Sequence, residues 1–271
     1  MTLSGILAVL NELPAYRSLC EALNGSPPRL PAQPLGLLAA ARPALLAALH
    51  AHTRRPLLVL VARADHARSL TQEIEAWTPT PQAVMRLPDP DALPYERVAW
   101  GRDTICERVR VLAAMAGWRG NSRDRPPPLV ITSARAIMQK TAPPDLFRSG
   151  LSTLRVGQQV ALNELVAGWL DIGYRPASVV EQAGDFSRRG GILDIFSPNL
   201  PHPMRIELFG EEIESLRMFD PLTQRSEKRV TAFDIVPAHE ALTRLAPRAA
   251  EKIRRLDFSS CHPMARLSFE E

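Results

Sequence analysis

The spacing of apolar residues changes near residue 150, and this change limits the folds that the chain can adopt. Before it, the apolar runs Leu57–Ala62 and Leu129–Thr132 alternate with segments of helical periodicity. Such continuous runs are typical of parallel strands that are buried on both faces. Their alternation with helices predicts a parallel α/β layer.

After residue 177 the pattern becomes β-like. Short segments with β-strand character follow at near-regular intervals, which predicts an antiparallel sheet. The predicted strands are Val179–Glu181, Gly191–Phe196, Met204–Leu208, Ile213–Phe219 and Phe233–Val236. The pair Gly190-Gly191 predicts a turn or bulge before the second of them.

These patterns predict an α/β chain of three parts. Residues 1–148 form the first part of a parallel α/β domain, and residues 149–239 form an inserted α+β domain that contains the antiparallel sheet. Residues 240–271 return to the first domain, and we expect the chain to end before that domain is complete. The length of 271 residues suffices for two ordinary domains.

Composition argues against a membrane protein and does not single out nucleic acid as a partner. No apolar run is long enough to span a bilayer, and the first residues lack the features of a signal peptide. The net charge is +4, but only three of the 33 basic residues are lysines. A GC-rich genome produces such a bias towards arginine, alanine and proline without selection for function. A basic DNA-binding domain remains an alternative.

Three cysteines, Cys20, Cys106 and Cys261, are far apart in the chain. Their odd number and wide spacing fit neither a disulfide framework nor a metal site. A reducing environment suits them best, so we expect a cytoplasmic protein.

The segment Gly36–Pro43, before the first predicted strand, is where a phosphate-binding loop would be expected. Such a loop needs several glycines for an open backbone, a lysine for the β- and γ-phosphates, and a hydroxyl for magnesium. This segment has one glycine, no lysine and no hydroxyl. We therefore expect no nucleotide site.

Patterns that would indicate catalysis or metal binding are also weak. The sequence contains neither G-x-S-x-G nor H-E-x-x-H. His50 and His52 are two residues apart and point to different faces of a helix. The acidic pair Asp89/Asp91 lies in a Pro-rich turn, and Glu211, Glu212 and Glu214 suit a hairpin tip. We expect no catalytic residue, no cofactor and no metal.

The most informative stretch is 184–220, which contains several short motifs at fixed spacings. These are Phe186, Arg189-Gly190, Leu193-Asp194-Ile195-Phe196, Arg205-Ile206-Glu207-Leu208-Phe209, Gly210-Glu211-Glu212-Ile213-Glu214 and Phe219-Asp220. The stretch resembles the insertion domain that UvrB shares with bacterial transcription-repair coupling factors.

Segments outside this stretch resemble the coupling factors more than UvrB. They are Leu87-Pro88-Asp89, Leu93-Pro94-Tyr95, Arg108, Val130-Ile131-Thr132 and Val236-Pro237-Ala238-His239-Glu240. UvrB has an intact phosphate loop and a long aromatic hairpin that holds damaged DNA. Here the loop is degenerate, and the region from Tyr95 to Val109 is too short for the hairpin. The resemblance therefore implies the N-terminal, UvrB-like region of a coupling factor, with a degenerate helicase-like parallel α/β domain.

In this family the insertion domain binds UvrA, so the resemblance implies a non-catalytic, UvrA-recruiting module. The parent protein would be an ATP-dependent DNA translocase that links stalled RNA polymerase to nucleotide excision repair. RNA polymerase and DNA would bind only through the rest of that parent, and no membrane contact is implied. The alternative is a fragment of a UvrB-type, ATP-dependent damage-recognition enzyme.

The candidate UvrA-binding residues carry charges or aromatic rings suited to an interface. They are Arg175, Arg189, Phe196, Arg205, Glu207 and Phe209. Strand alternation places Arg205, Glu207 and Phe209 on one face, opposite the core-like Ile206 and Leu208. The arginines could instead be solvated or form local ion pairs, and the two phenylalanines could belong to the core. We expect Arg189→Glu or Arg205→Glu to weaken UvrA binding strongly while leaving stability nearly unchanged.

Overall fold

The computed structural model describes residues 3–25, 27, 35–92, 99–118, 126–240, 255 and 259. The helices within them are α1 (Pro14–Asn24), α2 (Arg42–Thr53), α3 (Ala64–Trp77), α4 (Arg102–Gly117), α5 (Ala134–Met138), α6 (Pro144–Arg148) and α7 (Leu162–Asp171). Short 3₁₀ helices span Ser4–Glu12, Ala39–Ala41 and Pro81–Ala83. No helix in the described residues is long and apolar enough to cross a membrane.

The strands are grouped in three sheets. They are β1 (Leu57–Val61), β2 (Val84–Leu87), β3 (Leu129–Ser133), β4 (Ser152–Arg155), β5 (Arg175–Pro176), β6 (Asp185–Arg189), β7 (Ile192–Ile195), β8 (Met204–Phe209), β9 (Glu212–Phe219), β10 (Ser226–Val230) and β11 (Ala232–Ile235). The predicted mixture of helices with parallel and antiparallel sheets is confirmed.

The chain forms two compact units. One contains Met1–Asp89 and Trp118–Gln139, and the other contains Pro90–Gly117 and Lys140–Glu271. The boundaries predicted at residues 148 and 239 stay a prediction. The residues predicted to return to the first domain lie, beyond Glu240, almost entirely outside the described residues.

The first unit is built on a parallel sheet in the order β1-β3-β2. Every residue of the central strand β3 is buried. Helix α3 packs one side of the sheet through Ala67, Leu70 and Ile74, which recur at helical spacing. The helix and sheet therefore share one apolar core.

The prediction that both faces of β1 are buried is wrong for the described residues. Leu58 and Leu60 are 53% and 56% exposed, whereas Leu57, Val59 and Val61 pack in the core. Strand β1 lies at the edge of the sheet. A continuous apolar run does not distinguish a strand packed on both faces from an edge strand packed on one.

The second unit contains a six-stranded sheet in the order β10-β9-β8-β7-β6-β5. Neighbouring strands are antiparallel except for the short pair of β5 with β6. Helix α7 covers one face of this sheet, with Trp169 against Phe186. The buried residues Leu193, Ile206 and Leu216 come from three adjacent strands and complete this core. We call the opposite face of the sheet the outer face.

Helix α4 also packs in the second unit, where Val109 and Ala113 share a core with Phe147 and Val236. Its Arg108 is fully buried. Arg108 donates from Nε and Nη2 to the two carboxylate oxygens of Glu240 at 2.6 and 2.9 Å. Two motifs that are 132 residues apart in the sequence thus form one charge-assisted, bidentate pair.

Candidate docking surface on the outer face

Residue alternation determines which side chains reach the outer face. Because Ile206 and Leu193 point into the core, their neighbours along the strands point away from it. The strand register then aligns these neighbours in two rows across the sheet. One row is Ser187, Asp194, Arg205, Arg217 and Arg229, and the other is Arg189, Ile192, Glu207 and Ser215.

Two tight hairpins end on the same side of this sheet. The turn between β6 and β7 uses Gly190 at φ +61°, and the turn between β8 and β9 uses Gly210 at φ +62°. Glycine adopts this left-handed backbone without the steric cost that other residues incur. A Cβ at Gly191 would lie 3.1 Å from the carbonyl oxygen of Leu208, so a small residue is needed where the hairpins meet. The predicted turn at Gly190-Gly191 is confirmed.

Phe209 and Arg189 lie at this hairpin end. Phe209 is 80% exposed, whereas Ile206, three residues earlier on the same strand and facing the core, is fully buried. Arg189 is exposed, and its Nη2 donates to the backbone oxygen of Ser178 at 2.7 Å. Ile192, 39% exposed, adds apolar surface on the same face. The hairpin end therefore offers an aromatic ring, an aliphatic side chain and a guanidinium to solvent.

Arg205 is an ion-pair partner within the fold. Its Nε and Nη2 donate to the two carboxylate oxygens of Asp194, both at 2.8 Å, and its guanidinium lies 4.7 Å from the ring centre of Phe219. Asp194 is only 3% exposed. The hydrogen bonds to Asp194 raise the pKa of Arg205. Arg205 therefore forms the local ion pair that the sequence left open as an alternative, because the register places it directly opposite an acid.

Glu207 is also engaged. Its carboxylate accepts a hydrogen bond from the Ser215 hydroxyl and lies 3.2 Å from Nη2 of Arg217. Both partners come from β9, so Glu207 and Arg217 form a cross-strand pair. The middle of the outer face thus carries alternating acids and bases that already satisfy one another.

Arg175 and Phe196 lie at the other end of the sheet. Arg175 is paired in register with Asp185, which is four residues from Arg189 along β6. That separation is about 13 Å at the rise of a strand. Phe196 is half-buried, and its backbone N–H donates to the backbone carbonyl oxygen of Asp185 at 3.0 Å.

The surroundings of Arg175 differ from those of the hairpin end. Burial lowers the pKa of His239, and the positive charges of Arg175 and Arg102 lower it further. The structure therefore places Arg189, Glu207 and Phe209 towards the hairpin end, Arg205 in the middle of the outer face, and Arg175 and Phe196 at the opposite end of the sheet. The sequence motifs missed Ile192 and Arg217, which strand alternation could have identified.

The segment Gly36–Pro43 contains the 3₁₀ turn Ala39–Ala41 and the first two residues of α2. Gly36 has a positive φ of +58° in open space. The described residues contain no cluster of three or more histidine, cysteine, aspartate or glutamate side chains that could hold a metal. Cys20 and Cys106 are free thiols, whereas Cys261 and the Leu93-Pro94-Tyr95 motif lie outside the described residues.

Part of the second unit is similar to a known protein domain. Residues 153–240, which contain the whole outer face, match the family model of the UvrB interaction domain. The chain contains a UvrB interaction domain. Its strands and hairpins are those that form the candidate docking surface.

Most of the chain is also similar in sequence to transcription-repair-coupling factors. The chain is 34% identical to the factor of Myxococcus xanthus over 227 residues, covering 81% of this chain and 18% of that protein. It is 32% identical to the factor of Mycobacterium bovis over 234 residues, and 31% identical to that of Staphylococcus aureus over 206 residues. These matches cover 86% and 76% of this chain, and 18% and 17% of those proteins.

The predicted resemblance to this family is therefore confirmed. The chain spans about 18% of the length of the curated relatives it matches.

Proposed function

We propose that this chain is the UvrA-recruiting module of a transcription-repair coupling factor, and that it has no catalytic activity of its own. The exposed ring of Phe209, at the same end of the sheet as the exposed Arg189, carries this proposal. A phenylalanine that is 80% exposed gains little from the core of its own domain. Aromatic and arginine side chains contribute most of the binding energy at many protein interfaces.

The architecture suits this role because both residues end strands that are packed on the core. Phe209 ends a strand whose core side is anchored by Ile206, and Arg189 ends a strand anchored by Phe186. A partner that covers Phe209 would remove its ring from water with little ordering cost on this side. Arg189 retains donors for a carboxylate beyond the one that binds Ser178.

The parent protein would be an ATP-dependent DNA translocase that acts on stalled RNA polymerase in the cytoplasm. In this proposal the present chain supplies the link from that event to nucleotide excision repair. RNA polymerase and DNA would bind through other parts of the parent. The degenerate Gly36–Pro43 loop supports a module without nucleotide chemistry, because it lacks the lysine and hydroxyl that such chemistry needs.

The proposal is tested by measuring the affinity of the chain for UvrA from the same organism. We expect Phe209→Ala to weaken binding about 30-fold, since truncating an interface anchor costs at least ~2 kcal/mol. Arg189→Glu should weaken it by a similar factor or more, because reversing an interfacial charge adds repulsion.

Matched controls come from other exposed sites. Leu222, 90% exposed in the turn between β9 and β10, lies at the opposite end of the sheet. Arg68 is exposed on α3 in the first unit. Leu222→Ala and Arg68→Glu should bind UvrA like the unchanged chain. Equal affinities for all four variants would show that the hairpin end does not dock UvrA.

A further inference from the structure

Three arginines lie directly opposite one another on neighbouring strands of the outer face. Arg205 on β8 is in register with Arg217 on β9, and Arg217 is in register with Arg229 on β10. Like charges placed directly opposite across strands destabilise a sheet unless acids neutralise them. The acids that lie near each arginine therefore show which guanidinium is available to a partner.

Acids within the domain neutralise the first two arginines of the row. Asp194 binds Arg205 with two hydrogen bonds, and Glu207 lies 3.2 Å from Arg217. Arg229 is exposed and has no acidic partner among the described residues. Within the part of the chain that the structure describes, it is thus the arginine of this row whose planar donor fork remains free.

We infer that the docking surface extends from the hairpin end across β9 to the edge strand β10, where Arg229 receives a carboxylate of the protein partner. This inference rests on the proposed function, since it assigns an additional contact to the same partner. Strands in a sheet are about 4.8 Å apart, so Arg229 lies about 10 Å from Arg205 across the sheet. The partner surface should therefore extend beyond the hairpin end and place a carboxylate opposite Arg229.

The signs of the neighbouring charges favour a protein carboxylate over nucleic acid. A phosphate backbone that reached Arg229 along this face would also approach Glu207, and Glu227 lies on the same strand. A folded protein partner can place a single acid at Arg229 and basic or apolar groups elsewhere. The guanidinium fork matches the geometry of a carboxylate and can form two parallel hydrogen bonds with it.

Strand β10 provides an unusually close control. Lys228 is also exposed, but its register partner is Met218, which packs against the core side of the sheet. Lys228→Glu therefore introduces the same charge change one residue away and on the opposite face. Any effect of net charge or of the strand itself should appear in both variants, whereas an effect of the outer face should appear only in Arg229→Glu.

The experiment compares UvrA association for the unchanged chain, Arg229→Glu, Lys228→Glu and Phe209→Ala at two salt concentrations. We expect Arg229→Glu to lower the association rate about three- to tenfold at low salt, with a smaller loss at high salt, because peripheral charges act through screened electrostatics. Lys228→Glu should change it less than twofold. Melting temperatures of both variants should match the unchanged chain, which separates docking from stability.

Each other outcome has a definite meaning. If Phe209→Ala weakens binding but Arg229→Glu behaves like Lys228→Glu, the extension to β10 is wrong and the proposed function stands. If no variant changes UvrA binding, or the unchanged chain does not bind UvrA, both are wrong. If Arg229→Glu reduces binding to a duplex DNA probe and leaves UvrA binding intact, the residue serves nucleic acid and the inference is overturned.

Discussion

At the scale of single residues, the outer face contains charged groups with two different roles. Asp194 is almost fully buried, and its carboxylate depends on Arg205 for compensation. Arg189 is exposed, and its guanidinium donates a hydrogen bond to the backbone oxygen of Ser178. Removing one partner of a buried ion pair leaves an uncompensated charge and is strongly destabilising. Removing an exposed charge changes stability little.

This difference predicts that Arg205→Glu destabilises the UvrB interaction domain by about 3–5 kcal/mol, because it leaves Asp194 buried beside a second carboxylate. Arg189→Glu should change the free energy of unfolding by no more than about 0.5 kcal/mol. Urea unfolding followed by circular dichroism measures both. The two substitutions change net charge equally, so each controls for the other.

A rescue variant examines the cause of the instability. Replacing both partners in Asp194→Leu/Arg205→Met should recover much of the stability, since it removes the buried charge as well as its partner. If Arg205→Glu instead unfolds at the same urea concentration as the unchanged chain, the pair does not contribute to the fold. In that case, a loss of UvrA binding by Arg205→Glu would show that Arg205 contacts the partner rather than stabilising the domain.

At the scale of secondary structure elements, β8 couples the core to the candidate docking surface. Its core side carries the fully buried Ile206, whereas its outer side carries Arg205, Glu207 and the exposed Phe209. A strand turns successive side chains to opposite faces, so packing on one side orients the other. The core of the domain therefore determines where the exposed ring points.

We expect Ile206→Asp to unfold the UvrB interaction domain, because it buries a charge without a partner. The cost should exceed about 3 kcal/mol, and protection of the β7, β8 and β9 amides from hydrogen exchange should be lost. Phe209→Asp, three residues along the same strand, should retain native protection because that position faces solvent. Equal protection in both variants would contradict the assignment of the two faces.

At the scale of the whole molecule, the proposed module is a binding protein without nucleotide chemistry. A ligand that binds only the folded state stabilises it by about 2.7 kcal/mol at 100 times its dissociation constant. We expect ATP with Mg²⁺ to leave the melting temperature of this chain unchanged, because Gly36–Pro43 lacks the lysine and hydroxyl.

Authentic UvrB, assayed in parallel, provides the positive control for this measurement. A concentration-dependent rise in the melting temperature of the present chain, reduced by a substitution within Gly36–Pro43, would favour the UvrB-type alternative. Such a result would overturn the expected absence of a nucleotide site while leaving the proposed UvrA contact open to its own test.

Periodicity and turn residues were enough to predict most of the elements near the candidate site. The predicted strands Met204–Leu208 and Ile213–Phe219 match β8 and β9 closely, and the glycine pair marks the preceding turn. The strand predicted at Val179–Glu181 is wrong, and the strand nearby is β6, Asp185–Arg189. Strand β10, Ser226–Val230, was also missed. The two-residue strand β5 was not predicted either. Strands β6 and β10 are rich in charged residues, so they lack the apolar pattern on which the prediction relied.

The amino-acid sequence determined the candidate residues, because the motifs around Arg189, Arg205 and Phe209 are contiguous stretches whose alternation is visible in one dimension. Tertiary structure decided how they are grouped. Strand register placed Asp194 opposite Arg205, carried Arg175 to the far end of the sheet and left Arg229 without an acid among the described residues. Packing likewise joined Arg108 of α4 to Glu240. These partners are set by pairing between distant segments, and the free energy of such pairing depends on the whole sheet and core rather than on local sequence.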